Sequence, residues 1–267
     1  MNEQMMSNIA TGSVFLRKIV IYFLKKFSFD MKIKNPYSGT KFLINTYRHK
    51  GYWYFGDKRE EKTTKSIKSL INKGDKIVEV GGHIGFLSHL YSDLVGPEGH
   101  VYVFEPGVNN VPYTRFNVAT LSNITLYEKG CSDYNGPATF YNDGLTGQNN
   151  SLLDDFEGVE EVAASHYENS TRTPTIIEVI KLSHVIDELN FIPNHIKIDV
   201  EGAEINVLKG IGNYLGIIPS LMVEVTRNEK EVFSLMQKFG YIAFDENLVR
   251  LEGNFLRRGN TFFLLPK

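Results

Sequence analysis

DKIVEVGGHIGFLSHL, residues 75–90, passes from a short apolar run through three glycines into a helical pattern. The run from Lys76 to Val80 predicts a buried strand, and Phe86 and Leu90 begin an apolar stripe with helical spacing. Glycines between a strand and a helix allow another group to come close to the backbone. The stretch therefore predicts a strand–loop–helix unit with a ligand at the end of the strand.

The same alternation continues along the chain. Short apolar runs predict further strands at residues 101–104, 124–127, 196–200, 221–225, 241–245 and 261–266. Helical patterns are found at residues 60–71, 109–118, 202–215 and 228–239. Because alternating strands and helices build a parallel sheet with helices on both faces, we predict an α/β fold.

Two regions depart from this alternation. Residues 32–55 are strand-like and rich in tyrosine, which is typical of a lead-in or lid. Residues 133–175 contain a hairpin pattern at 134–143, a polar stretch and an acidic stretch, and a long irregular insertion is usually a lid or binding loop. We expect an N-terminal extension over residues 1–59 and one large domain over residues 60–267.

The composition excludes several classes of protein. The 267 residues carry a formal charge of -2, so nothing drives the chain toward nucleic acid, and we expect no nucleic-acid partner. Cys131 is the single cysteine, which excludes an internal disulfide and a multi-cysteine zinc site. The scattered histidines predict no metal site, and a cytoplasmic location fits the cysteine usage.

Residues 14–27 predict a basic amphipathic helix. Its longest apolar run, Ile19 to Leu24, is far shorter than the roughly 20 residues that span a bilayer. Apolar side chains such as Phe23 and Phe27 share one face, and Lys25 and Lys26 lie on the other. The helix either lies on an anionic membrane surface, as a peripheral contact, or docks on its own domain or a partner subunit.

The residues of the glycine loop and the strand ends limit the kinds of ligand that can bind there. The glycine spacing fails the G-x-G-x-x-G pattern of a dinucleotide site, and the Lys-Ser/Thr ending of a phosphate loop is absent. The carboxylate of Glu79 would repel a pyrophosphate but attract an ammonium group. Glu105, which ends the next strand, suits the two hydroxyls of a ribose. A ligand with both groups is S-adenosylmethionine, the expected cofactor.

Three motifs, IVEVGGHIGF, VYVFEP and IKIDVEGAEINVLKG, resemble those of the FkbM-like family of S-adenosylmethionine-dependent methyltransferases. The resemblance extends from about Glu60 onward. Gly82 and His83 stand where Ala-Asn is usual, and Ser183 stands where an acid is common. The resemblance implies a class I methyltransferase fold, a Rossmann-like sheet of seven mostly parallel strands, with residues 261–266 as the antiparallel strand.

The resemblance also implies an activity. Members of the family mostly methylate hydroxyls of saccharides, glycans or natural-product precursors, so an O-methyltransferase is the leading hypothesis. A catalytically silent protein that keeps the fold as a binding or scaffold module is the alternative, and a nicotinamide-dependent oxidoreductase is a weaker one.

Several residues are candidates for the cofactor site besides Glu79 and Glu105. Gly81 and Gly85 belong to the loop, and His83 is placed to donate a hydrogen bond to the cofactor carboxylate. Ser132 and Asp133 are expected at the end of the third strand, against the adenine ring, although a turn explains the pair equally well.

The acceptor hydroxyl must lose its proton, and carboxylates at strand ends are candidates for the base. Asp199 is the first choice, with capping of the following helix as its structural alternative. Glu201 and Glu224 lie on the same rim, as catalytic groups or as solvated acids. The amides and hydroxyl of Gln148, Asn149, Asn150 and Ser151 suit sugar hydroxyls, but the same composition is found in ordinary loops.

Overall fold

The computed structural model describes residues 14–154, 172–253 and 258–266. The chain divides into two compact units, one ending at Arg59 and one beginning at Glu60. No helix in the described ranges is long and apolar enough to cross a bilayer.

The first unit begins with a helix, α1 (Val14–Lys26). Strands β1 (Asp30–Lys34) and β2 (Lys41–Asn45) then form an antiparallel pair, followed by helix α2 (Lys50–Phe55) and a 3-10 turn at Gly56–Lys58. The strand-like interpretation of residues 32–55 is therefore wrong over α2. The indole Nε1 of Trp53 donates to the carbonyl of Thr46 at 2.9 Å, which folds the chain back on itself instead of extending it.

The second unit is built on a seven-stranded sheet in the order β11-β12-β10-β9-β3-β4-β5. The strands are β3 (Lys76–Val80), β4 (His100–Phe104), β5 (Ile124–Tyr127), β9 (His195–Ile198), β10 (Ser220–Val225), β11 (Ile242–Phe244) and β12 (Gly259–Leu264). β12 is antiparallel to both neighbours, β10 and β11, and the other pairs are parallel. The class I methyltransferase sheet is thereby confirmed, including its inserted antiparallel strand.

Six helices of the second unit are described. They are α3 (Glu61–Leu70), α4 (Phe86–Val95), α5 (Val111–Val118), α6 (Leu182–Leu189), α7 (Glu204–Ile211) and α8 (Glu229–Lys238). A 3-10 turn, Gly212–Tyr214, follows α7. The strand order runs outward from β3 in one direction and from β9 in the other, so right-handed crossovers place the connecting helices on opposite faces.

The insertion forms a separate three-stranded sheet in the order β6-β8-β7. Its strands are β6 (Gly130–Cys131), β7 (Gly136–Asp143) and β8 (Arg172–Ile180). The predicted hairpin within residues 134–143 is wrong, because this stretch is one continuous strand whose antiparallel partner is β8. The acidic part of the insertion, residues 155–171, lies outside the described residues.

The hydrophobic core is built around the central strands of the sheet. The central strand β9 is buried at every position, and β3 is buried from Ile77 to Val80. Such strands are covered on both faces, and they bury His195, Lys197 and Glu79 among their apolar residues. Phe262 and Phe263 of β12 are also fully buried, so the antiparallel strand belongs to the core.

Candidate active site

A crevice opens at the carboxyl ends of β3, β4 and β9. Its walls come from these strand ends, the loop after β3, the short strand β6 and the insertion. Among its lining residues are Gly81, His83, Glu105, Gln148, Asp199 and Glu201. Ligands of open parallel sheets bind in this place, so the crevice is the candidate active site.

The glycine loop is shaped by its own neighbours. Gly81 has φ +82°, and a Cβ added there would lie 1.8 Å from the backbone carbonyl oxygen of Asp199. Gly85 also has φ +82°, but it faces α5, where an added Cβ would lie 3.1 Å from Val118 Cγ1, and it does not line the crevice. The close group at Gly81 is therefore the strand end that carries Asp199.

His83 adopts φ +48° at the position where the related motif has asparagine. This left-handed conformation is one that asparagine and histidine tolerate better than most residues do. The hydroxyl of Thr114 donates to the His83 carbonyl, and His83 Nε2 lies 3.4 Å from the carbonyl oxygen of Thr146. The imidazole thus lines the crevice between the glycine loop and the insertion.

Glu105 follows β4, and its carboxylate faces the crevice. The backbone N–H groups of His83 and Gly107 donate to its two oxygens at 2.7 and 2.9 Å, and Asn110 Nδ2 donates at 3.2 Å. Burial raises the pKa of Glu105 to about 7, although these three donors oppose the rise. The carboxylate is held in a fixed orientation, as an acceptor for ligand hydroxyls requires.

Glu79 is not among the residues that line the crevice, and its direct contact with an ammonium group stays a prediction. It pairs in register with Lys197 on the neighbouring strand β9, so both side chains lie on the same face of the sheet. Its carboxylate accepts a 2.5 Å hydrogen bond from Ser88 Oγ and lies 4.0 Å from Lys197 Nζ. Burial raises the pKa of Glu79 to about 7, against the lowering effects of Lys197 and Ser88.

Lys197 connects this buried acid to the crevice. Its ammonium lies 3.0 Å from Asp199 Oδ2 and donates to the carbonyl of Gly81 at 2.6 Å. Burial lowers the pKa of Lys197, but the charges of Asp199 and Glu79 more than offset this effect and raise it overall. The predicted pairing of Lys197 with a carboxylate near the site is thereby found.

Asp199 lies at the end of β9 with 29% of its side chain exposed, within the crevice. Helix α7 begins at Glu204 after Ala203, and no side chain caps its first turn. Capping therefore does not explain Asp199. Glu204 is structural instead, since its carboxylate accepts hydrogen bonds from Gly202 N at 2.7 Å and Thr226 Oγ1 at 2.8 Å.

Asp199, Glu201 and Glu224 form what we call the acid cluster. Burial first, and then the charge of Asp199, raises the pKa of Glu201 above its ordinary value. The charge of Asp199 is the largest cause for Glu224, followed by burial, and its pKa is also raised. Glu201 lines the crevice, whereas Glu224, half-buried on β10, does not. Glu224 therefore does not line the crevice. It is coupled to Asp199 through the charge of its carboxyl group, which depends on whether that group is protonated.

Ser132 and Asp133 are not among the residues that line the crevice, although Cys131 directly before them is, and their contact with the adenine ring stays a prediction. The third strand of the sheet ends at Tyr127, and the chain continues into β6 of the smaller sheet. Ser132 and Asp133 follow β6, where Asp133 Oδ1 accepts a 3.5 Å hydrogen bond from Asn206 of α7. The preceding residues of β6 line the crevice in their place.

The polar loop of the insertion separates into two kinds of residue. Gln148 and Asn150 line the crevice, whereas Asn149 and Ser151 do not. The Asn150 side chain is used within the loop, because it accepts from Asp143 N at 2.7 Å and donates to Asn109 at 2.8 Å. Ser151 Oγ donates to the Glu201 carbonyl at 2.7 Å. Gln148 is thus the predicted substrate residue whose side chain remains available at the crevice.

Several residues of the crevice are not among those predicted from the sequence. Lys129 and Phe140 line it from the region of β6 and β7. Asn110 joins its two sides, since its amide donates both to Glu105 and to the carbonyl of Gly147 at 2.9 Å. The doubled asparagine after VYVFEP was the available signal for this bridge.

The donor set fits S-adenosylmethionine. Glu105 offers a fixed carboxylate for ribose hydroxyls, and Val80, Phe104 and Pro106 provide an apolar wall beside it. Among the described residues, no group of three or more His, Cys, Asp or Glu side chains could hold a metal ion.

Comparison with known proteins gives the family. The model of the methyltransferase FkbM domain matches residues 79–243, more than half of the chain and the part that supplies most of the crevice. A curated protein-L-isoaspartate O-methyltransferase from Ignicoccus hospitalis is 36% identical over 58 residues, which are 21% of this chain and 28% of that protein. The chain thus matches less than a third of that relative's length.

Solved structures with a similar arrangement are distant in sequence. Aeropyrum pernix fibrillarin, in complex with S-adenosyl-L-methionine, is 15% identical with a TM-score of 0.39, over 76% of this chain and 73% of that one. A precorrin-6y C5,15-methyltransferase from Geobacter metallireducens is 11% identical with a TM-score of 0.42, over 79% and 88%. The family match, which is independent of them, establishes that this chain belongs to the FkbM family of S-adenosylmethionine-dependent methyltransferases.

Proposed function

We propose that the protein is an O-methyltransferase acting on a hydroxyl of a saccharide, glycan or natural-product precursor. The observation that carries this proposal is the position of Asp199. Its carboxylate is partly exposed in the crevice and lies 3.0 Å from the buried ammonium of Lys197. An alcohol must give up its proton as its oxygen is methylated, and a carboxylate within the crevice is placed to accept that proton.

The neighbours of Asp199 support the same role. S-adenosylmethionine, when bound, supplies the electrophilic methyl group. Glu201 and Glu224 hold their protons to higher pH than ordinary glutamates because their pKa values are raised. A protonated Glu201 can donate a hydrogen bond to an acceptor oxygen.

The saccharide class rests on the polar lining and on the family resemblance. The amide of Gln148 and the carboxyl of Glu201 offer donors and acceptors to neighbouring hydroxyls of one acceptor. Phe140 and Leu152 provide apolar surface in the same wall of the crevice. Such a mixture suits the alternating polar edges and apolar faces of a sugar ring.

Transfer of a labelled methyl group from S-adenosylmethionine into a panel of oligosaccharides and hydroxylated small molecules tests the proposal, with and without chelator. Asp199→Asn should lower kcat by roughly 10²- to 10⁴-fold, the usual contribution of a positioned base, while the calorimetric Kd for the cofactor stays within a few-fold. Asp93→Asn is the matched control, since Asp93 is exposed on α4 and does not line the crevice, and it should retain full turnover.

Two outcomes would reject parts of the proposal. Undiminished turnover in Asp199→Asn would remove the residue from catalysis. Tight cofactor binding without transfer to any acceptor in the panel would favour the scaffold alternative. Labelling of an amine or a carboxyl instead of a hydroxyl would keep the methyltransferase and reject O-methylation of alcohols.

A further inference from the structure

The two units of the chain carry opposite charge. Residues 1–59 contain eleven Lys and Arg against three Asp and Glu, whereas the remainder contains eighteen against twenty-eight. The near-neutral whole chain therefore conceals a strongly basic N-terminal unit. Such a unit is attracted to surfaces with dense negative charge.

The same unit exposes large aromatic side chains at the end of α1 and just after it. Tyr22, Phe23, Phe27 and Phe29 are 60%, 53%, 61% and 61% exposed. The rings of Phe23 and Phe27 stack with centroids 6.2 Å apart, and Tyr22 meets Phe23 edge-on at 5.7 Å. Four exposed aromatic rings close together in the chain are typical of a surface that binds a membrane or another protein.

Lysines surround these rings. Lys25 and Lys26 are exposed in the last turn of α1, and the ammonium of Lys26 lies 5.8 Å from the centre of the Phe27 ring. Lys32 and Lys34 are exposed on β1, which follows directly. Aromatic rings flanked by long cationic side chains are the composition of surfaces that bind at the headgroup level of a bilayer.

We propose that the surface formed by Tyr22, Phe23, Lys25, Lys26, Phe27 and Phe29, the aromatic-basic surface, docks on a lipid bilayer that contains anionic headgroups. The 13 residues of α1 are too few to span it, so the contact is peripheral. The rings enter the headgroup region and the lysines approach the lipid phosphates. A second copy of the same basic surface would meet it with like charge, which disfavours self-association through this face.

Flotation of the full chain with vesicles tests this docking. The protein should float with vesicles of phosphatidylcholine and phosphatidylglycerol, and much less with phosphatidylcholine alone. Reversing Lys25 and Lys26 together to glutamate should weaken the partition by at least roughly 25-fold, because each lysine lost from such a surface contributes about fivefold. Phe23→Ser with Phe27→Ser should weaken it on the order of tenfold. Val249→Ser, an equally exposed apolar residue of the second unit, should change nothing.

The proposal is overturned by an absence of flotation with anionic vesicles, by equal flotation with neutral ones, or by insensitivity to both double variants. Sedimentation that shows self-association lost in Phe23→Ser with Phe27→Ser would assign the surface to a second copy instead. Methyl transfer to a water-soluble acceptor should be the same in every variant. That readout separates failure of docking from failure of the proposed catalytic function.

Discussion

Replacing Glu79 by glutamine tests the buried charge arrangement beneath the crevice. Burial raises the pKa of Glu79 from 4.5 to about 7, so the folded protein holds this proton more tightly than the unfolded chain. Stability must then fall as pH rises from 4.5 through about 7, because the unfolded state releases the proton first. At ~1.4 kcal/mol per pKa unit, the full effect is about 3 kcal/mol.

Between pH 5 and pH 8, linkage gives a loss of roughly 2–3 kcal/mol from this one group. The glutamine of Glu79→Gln cannot ionise, but its side-chain oxygen can still accept the hydrogen bond from Ser88 Oγ. The free energy of unfolding of this variant should therefore fall less than that of the wild type between pH 5 and pH 8, by the same amount. Urea unfolding at a series of pH values and constant ionic strength measures the difference. Glu98→Gln, at an exposed position, is the control and should parallel the wild type.

Parallel pH curves for Glu79→Gln and the wild type would refute the reasoning. That result would mean that Glu79 is already ionised at pH 5, stabilised by Lys197 at 4.0 Å more strongly than burial opposes it. A carbon-13 NMR titration of the Glu79 carboxyl gives a direct second measurement of the same proton.

Further predictions concern the crevice itself. In urea unfolding, Gly81→Ala should lower the free energy of unfolding by at least ~1–2 kcal/mol for the left-handed backbone, and by more because the Asp199 carbonyl must move. Gly74→Ala is the control. Gly74 has φ +85° and open space where a Cβ would lie, so this variant should show only the backbone cost. Glu105→Gln should raise the calorimetric Kd for S-adenosylmethionine by roughly ten- to a hundredfold, the usual value of hydrogen bonds to a charged group. An unchanged Kd would remove Glu105 from the ribose site.

The sheet was predictable because its strands are short, buried and apolar. β3 and β5 have the predicted bounds, and most other elements differ by a few residues. β8 was missed because its outward positions include Ile176, 72% exposed, which removes the alternation of apolar and polar residues. Its partner β7 lies more than thirty residues earlier in several pairs, and such non-local pairing leaves no local signal.

The crevice was predictable where strand ends determine position, as for Glu105 and Asp199. Gln148 differs from its neighbours in the polar loop because their side chains are used in hydrogen bonds, such as that of Asn150 to Asn109. The amino-acid composition of the loop does not predict these bonds.

The position of β12 between β10 and β11 has a consequence for biosynthesis. On the ribosome, β11 emerges before the strand that joins it to the sheet, and β10 waits with an open edge beside Val223 and Val225. A chain that lacks residues 258–266 therefore presents an apolar edge that accepts foreign strands, and docking of Phe262 and Phe263 closes it.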